Sequence, residues 1–228
     1  MNFQDGNLDY IDFQTTKESG LLTKVKSLNG YFYLEDLPKV EFDCSGLGEE
    51  DNATLALKGY FFADKADYSL DFTFKDADIT HFQYYFAETK LFNLKKGLFD
   101  LHLHLANDSV TTKGEIIWYG QASARDVDLF PDFLDDIELK QAEGSATFDS
   151  KETIIEKITA YYKNSPLTLT GNLAYIDVFN YNMKVKSNDF NLSDLKEGLK
   201  EYLSLASEVQ AKGKSNLSFE VSGSPIKD

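Results

Sequence analysis

"YSLDFTFKD", residues 68–76, alternates apolar and polar side chains without a break. Successive side chains of a strand point to opposite faces, so Tyr68, Leu70, Phe72 and Phe74 share one face. Ser69, Asp71, Thr73 and Lys75 share the other. A helix would scatter the same residues around its circumference. The pattern predicts a half-buried strand, apolar on one side and wet on the other.

The same period recurs along the chain. "KVEFDCS" puts Val40, Phe42 and Cys44 on one face, and "ATLALKG" does so with Leu55 and Leu57. "GLFDLHLHLAND" (97–108) aligns Phe99, Leu101, Leu103 and Leu105 against Asp100, His102 and His104. Further on, "PLTLTG" contributes Leu167 and Leu169, and "YNMKVKS" contributes Tyr181, Met183 and Val185. "NLSFEVSG" adds Leu217, Phe219 and Val221. In "GEIIWYGQ" (114–121) we assign Ile116 and Trp118 to the apolar face, although the pattern there leaves the inward face of residues 115–119 open. Many short alternating segments separated by turn signals predict a mostly β, antiparallel fold.

Three segments break the period. "SDLKEGLKEYLSLASEVQAK" (193–212) carries Leu195, Leu199, Tyr202, Leu203, Ala206 and Val209 at helical spacing. Ser193 suits its N-cap and Gly213 its C-cap. A shorter helix is expected over 80–88, with Thr80 as its cap. "DLFPDFLDD" (128–136) reads as irregular or helical, with Pro131 at a first helical position.

The long-range feature is an internal repeat. Gly30 matches Gly144, Gly59 matches Gly171 and Gly97 matches Gly213, at offsets of 114, 112 and 116 residues. "GNLDYIDF" from Gly6 aligns with "GEIIWYGQ" from Gly114. We expect a first repeat over 1–113 and a second over 114–228, in one continuous sheet. Repetition of this kind favours a quasi-linear stack. The abrupt start and end in strand-like text suggest a piece of a longer protein.

Composition narrows the function. The net charge of −15 opposes binding to nucleic acid, which needs basic density. It also opposes lying flat on an anionic bilayer, but not binding uncharged lipid tails. Cys44 is the single cysteine, so no internal disulfide forms, and its place in the alternation suggests an inert, half-buried thiol. No apolar run is long enough to span a membrane, and the first residues do not form a signal peptide.

Asp100, His102 and His104 share a face, as metal ligands would. A zinc site needs three or four ligands, and only His81 and Cys44 could add nitrogen or sulfur from elsewhere. We expect a solvated face, with no metal and no cofactor. "GQASARD" departs from the Gly-x-Ser-x-Gly elbow, and the P-loop that Gly213-Lys214-Ser215 would end has Glu208 where its first glycine belongs. The acidic runs lack EF-hand spacing. No catalytic residue is assigned, and the chain is not expected to be an enzyme.

The apolar face remains. Two such sheets could close on each other as a structural sandwich. Alternatively one strongly curved sheet keeps its apolar face open, and a large persistent apolar surface normally marks an interaction site.

The repeated text resembles the AsmA-like superfamily, most closely TamB-type translocation and assembly module proteins. The resemblance rests on glycine turns at Leu28–Gly30 and Glu143–Phe148, and at Thr54–Gly59 and Pro166–Gly171. It continues through Tyr68–Phe82, echoed by "YNMKVKSNDFNLSDL", and through "LFPDFLDDIE". It implies an elongated, taco-like β-groove of about two repeats with short amphipathic helices. It further implies binding of phospholipid acyl chains and their conduction between membranes of a diderm bacterial envelope. The location implied is the periplasm, with a parent protein anchored in the inner membrane and an outer-membrane β-barrel as its partner. Chaperone-like strand addition during outer-membrane protein assembly is the alternative, beside the closed sandwich.

Overall fold

A computed structural model describes residues 1–12, 21–48, 53–83, 92–108, 114–131, 137–175, 180–194 and 212–224. They form strands β1 (Asn2–Asp12), β2 (Leu21–Tyr33), β3 (Lys39–Gly48), β4 (Thr54–Phe62), β5 (Tyr68–Asp78) and β6 (Phe92–Asn107). The series continues with β7 (Ile117–Pro131), β8 (Leu139–Asp149), β9 (Glu152–Tyr162), β10 (Ser165–Ala174), β11 (Asn180–Asn191) and β12 (Lys214–Gly223).

All twelve lie in one sheet in chain order, so each strand bonds to its sequence neighbours. From β1 to β6 and from β9 to β12, every pairing is antiparallel. The order runs from β1 to β12 without closing, so the sheet is open and not a barrel. The mostly β, antiparallel architecture read from the alternation is therefore the observed one.

By compactness the chain divides into two units. The first comprises Met1–Asp78, Leu98–Ser123 and Thr147–Ser150; the second comprises Ile79–Gly97, Ala124–Ala146 and Lys151–Asp228. In the first, Val40 and Phe42 on β3 and Ala77 on β5 are buried. In the second, Leu94, Val127, Ala142 and Ala160 form a small core, with Ile79, Ala124, Leu129 and Leu139 against it.

The repeat is visible in the pairing. Gly30 on β2 lies opposite Cys44, and the row continues through Leu57, Phe72 and Leu103. A Cβ at Gly30 would fall 2.7 Å from the Cys44 Cα, and one at Gly144 on β8 would fall 2.7 Å from the Ile158 Cα. From Ile158 the second row continues through Leu169, Val185 and Phe219. Strands β2–β6 thus correspond to β8–β12. At both glycines the neighbouring backbone comes too close for any side chain.

Interior strand residues with positive φ recur as well. Asp5, Ser27, Asp76, Asp126 and Gln141 all adopt φ between 50° and 58°. A left-handed residue inserted in a strand forms a bulge, which bends and twists it. Three of these bulges are held in the same way. The Asp5 N–H donates to Asn29 Oδ1 (3.0 Å), that of Asp76 to Asp100 Oδ1 (2.7 Å), and that of Gln141 to Asp128 Oδ1 (2.9 Å). In each case an oxygen from an adjacent strand satisfies an N–H that the bulge turns out of the ladder.

One of the three expected irregular or helical segments needs correction. Residues 128–131 are strand, and Pro131 ends β7 instead of starting a helix. Val127 is 2% exposed and Leu129 packs on the same core, which is the two-residue period of a strand. A 3₁₀ turn at Ile79–Phe82 occupies the start of the expected 80–88 helix, and Ser193 and Asp194, at the start of the longer one, are helical. The rest of both expected helices, and residues 132–136, lie outside the described residues.

Candidate functional site

Cross-strand register assembles the predicted apolar face in the first unit. Phe42 faces Gly59, then Leu70, then Leu105. The next row runs Cys44, Leu57, Phe72, Leu103, and the next Gly46, Leu55, Phe74, Leu101. Val40 lies opposite Phe61, and Phe61 opposite Tyr68. Phe99 continues the β6 side past the Asp76 bulge, opposite Ala77. Leu55, Leu57, Tyr68, Leu70, Phe72, Phe74, Phe99, Leu101, Leu103 and Leu105 are all half-buried.

Aromatic residues missed by sequence reasoning extend this face. Phe3, Phe32, Phe42 and Phe61 form a chain with ring centroids 5.8, 6.0 and 6.3 Å apart. "GYFY" and "GYFF" concealed Phe32 and Phe61, because an aromatic run supplies both faces and shows no alternation. The signal available was the glycine at the start of each run.

The Tyr119 ring stacks on His104 at 4.7 Å, so Tyr119 lies on the histidine side. Alternation then turns its neighbour Trp118 to the apolar side, where it meets Phe148 at 5.9 Å. Ile116 lies before the start of β7 and is 57% exposed.

The second unit gathers its predicted residues likewise. Leu167 faces Ala160, and Leu169 faces Val185 and then Phe219 on β12. Met183 lies between Gly171 and Val221, Tyr181 faces Gly223, and Leu217 faces Ser187. Phe219 and Val221 are each 45% exposed.

The opposite faces are polar and paired. His104 Nδ1 lies 2.9 Å from Asp71 Oδ1, and His102 Nε2 lies 3.8 Å from the same oxygen. Among the described residues no cluster of three or more metal-ligating side chains occurs. Lys184 meets Glu220 across β11 and β12, and Lys39 sits 4.6 Å over the Tyr60 ring. In the second unit Lys96, Lys140 and Lys163 line a polar cleft of about 410 Å³ with Asp128 and Tyr161. Lys96 reaches Asp126 at 3.0 Å and Lys140 reaches Glu138 at 3.1 Å, so carboxylates already compensate part of that positive charge.

Cys44 is the chemically addressable group on the apolar face. Burial pushes its thiol pKa up, with the Asp43 carboxylate adding to the effect. Its Sγ donates to the Leu57 carbonyl at 3.4 Å. The thiolate is disfavoured, and the residue behaves as a small apolar side chain.

No described helix is long and apolar enough to cross a membrane. Comparison with family models, curated proteins and solved structures returns no match for this chain.

Proposed function

We propose that the apolar face binds the acyl chains of phospholipid and that the chain conducts phospholipid along it between the membranes of a bacterial envelope. This is the activity implied by the likeness to AsmA-like, TamB-type proteins. The observation that supports it is the half-burial of the central rows on β4, β5 and β6. In a closed sandwich, Leu57, Phe72 and Leu103 would sit at the middle of the core and be fully buried. Each methylene group removed from water by such a face contributes about 0.8 kcal/mol, so an acyl chain is strongly retained. Sliding along a uniform apolar floor changes little buried area, so retention and movement are compatible. No chemical step is required. The setting proposed is the periplasm, with an inner-membrane-anchored parent protein and an outer-membrane β-barrel partner.

The test is native mass spectrometry with solvent extraction of the purified chain, alongside Leu103→Asp. Bound phospholipid in the wild type, lost in a variant that keeps its circular dichroism, supports the reading. A wild type that carries no lipid and refuses added lipid overturns it. Unfolding of Leu103→Asp would instead indicate a closed core, because an unpaired charge would then be buried. Cys44 gives a second readout, since an acyl chain over the Leu57 row should slow alkylation of its thiol at least tenfold.

A further inference from the structure

The polar cleft of the second unit lies apart from the apolar face. Tyr161 sits between the buried Ala160 and Tyr162, so its side chain points to the opposite side of the sheet. Ala160 pairs with Leu167, which places the cleft and the predicted apolar face of this unit on opposite sides. Lys96 of β6, Lys140 and Gln141 of β8, Tyr161 of β9, and Lys163 and Asn164 of the following turn enclose about 410 Å³, a volume that suits a small molecule. Donors outnumber acceptors there, since each ammonium has three N–H groups and a carboxylate only accepts. Asp128, which also lines the cleft, is already engaged: Oδ1 accepts the Gln141 N–H at 2.9 Å and Oδ2 lies 3.5 Å from Lys96 Nζ. Asp126 holds Lys96 at 3.0 and 3.1 Å, and Glu138 divides its oxygens between Lys95 at 3.4 Å and Lys140 at 3.1 Å. These carboxylates fix where the ammonium groups of Lys96 and Lys140 stand and leave them further protons to donate. Unusual backbone converges on the same place. Gln141 and Lys163 adopt positive φ, 51° and 54°, as does Asp126, the partner of Lys96, at 52°. Such a conformation is uncommon outside glycine and concentrates at functional sites. Lys163 adopts it in the two-residue turn between the paired Tyr162 and Ser165, where glycine or asparagine is the easier choice.

We infer that this cleft binds a small phosphate monoester, whose phosphoryl oxygens accept from Lys96, Lys140, Lys163 and the Tyr161 hydroxyl. A phosphate monoester carries more negative charge than a carboxylate and offers three strong acceptor oxygens, which answers a surplus of donors. The amides of Gln141 and Asn164 are left for hydroxyl groups on the organic part. Three lysines gathered in one cleft give a local attraction for an anion on a chain whose net charge of −15 repels one elsewhere. The recognised group is the phosphoryl, borne either by a soluble ester or by a phospholipid headgroup presented from a bilayer. A lipid whose tails lie on the apolar face does not reach the other side of the sheet, so this site and the conduction proposed above stand independently.

Titration of the intact chain with glycerol 3-phosphate at constant ionic strength, followed by amide chemical shifts, tests this. The expected result is a saturable set of shifts centred on Lys140, Gln141 and the turn at Lys163 and Asn164. Lys140→Gln combined with Lys163→Gln should weaken binding about tenfold or more. Lys39→Gln combined with Lys184→Gln removes the same charge outside the cleft and should change binding by less than about twofold. Tyr161→Phe keeps the ring, loses one donor and should weaken binding about fivefold, which gives a second measure should the first pair of substitutions disturb the fold. Flotation with phosphatidylcholine vesicles containing phosphatidic acid separates the sources. Binding to glycerol 3-phosphate but not to vesicles assigns a soluble ester; vesicle binding abolished by Lys140→Gln with Lys163→Gln assigns a headgroup. The absence of both kinds of binding overturns the inference. So do shifts that sodium chloride alone reproduces, or equal weakening by the two pairs of lysine substitutions.

Discussion

Gly97 and Gly213 stand at the same point of the two repeats, and both adopt positive φ, 136° and 105°. They differ in their neighbours: Val127 packs against Gly97, while among the described residues nothing lies within 4 Å of a Cβ at Gly213. The backbone requirement thus belongs to the repeat, whereas the packing requirement comes from the neighbouring strand. Alanine separates the two. Gly213→Ala should cost about 1 kcal/mol, the conformational penalty alone. Gly97→Ala adds overpacking against a core residue and should cost about 3 kcal/mol in all. Urea unfolding at low protein concentration measures both, and equal losses would break the comparison.

Gly30 and Gly144 provide the opposite case, because their surroundings match. Each lacks room for a Cβ against the next strand, with the facing Cα at 2.7 Å. Gly30→Ala and Gly144→Ala should each destabilise by about 2 kcal/mol, within a few tenths of one another. A large inequality in denaturant midpoints would mean that the repeats are not mechanically equivalent there.

The bulges predict a smaller effect. Asp100→Ala leaves the Asp76 N–H without its acceptor, and Asp128→Ala does the same to that of Gln141. Each should cost about 1 kcal/mol by thermal unfolding, and asparagine at either position should recover most of it, because the amide oxygen still accepts. Asp128→Ala also removes a carboxylate lying 3.5 Å from Lys96, so its loss should be the more sensitive to salt.

Strands were legible wherever one face is apolar and the other wet. Tyr68–Phe74 announces itself because the period of two is unbroken. β9 was harder to read: Ile154, Ile155 and Ile158 do not alternate, and the register with β10 shifts between Leu169 and Gly171. The bulges left no trace in the hydrophobic pattern either, since their defining contacts are between backbone N–H groups and Asx oxygens on another strand. β7 was misread near Pro131 because proline and clustered aspartates resemble a helix start when the burial of Val127 is unknown. The glycine repeat could be found in the sequence, but not which of its glycines is cradled. That depends on strand neighbours about 30 residues away along the chain, as for Gly97 and Val127.

The smallest expected effect tests whether the polar faces contribute to stability. Glu220 on β12 bonds to Lys184 on β11, and this hydrogen bond and charge hold its carboxyl below the ordinary carboxylate range. A carboxylate with a depressed folded pKa stabilises the fold above its unfolded value, and the contribution disappears as pH falls through the folded value. Glu220→Gln should therefore lower the unfolding midpoint slightly near neutral pH and leave it unchanged in strong acid, where the wild-type carboxyl is also protonated. Both partners are solvent-exposed, so the difference should shrink with added salt. A Glu220→Gln difference that persists unchanged in strong acid would trace the loss to something other than this ion pair.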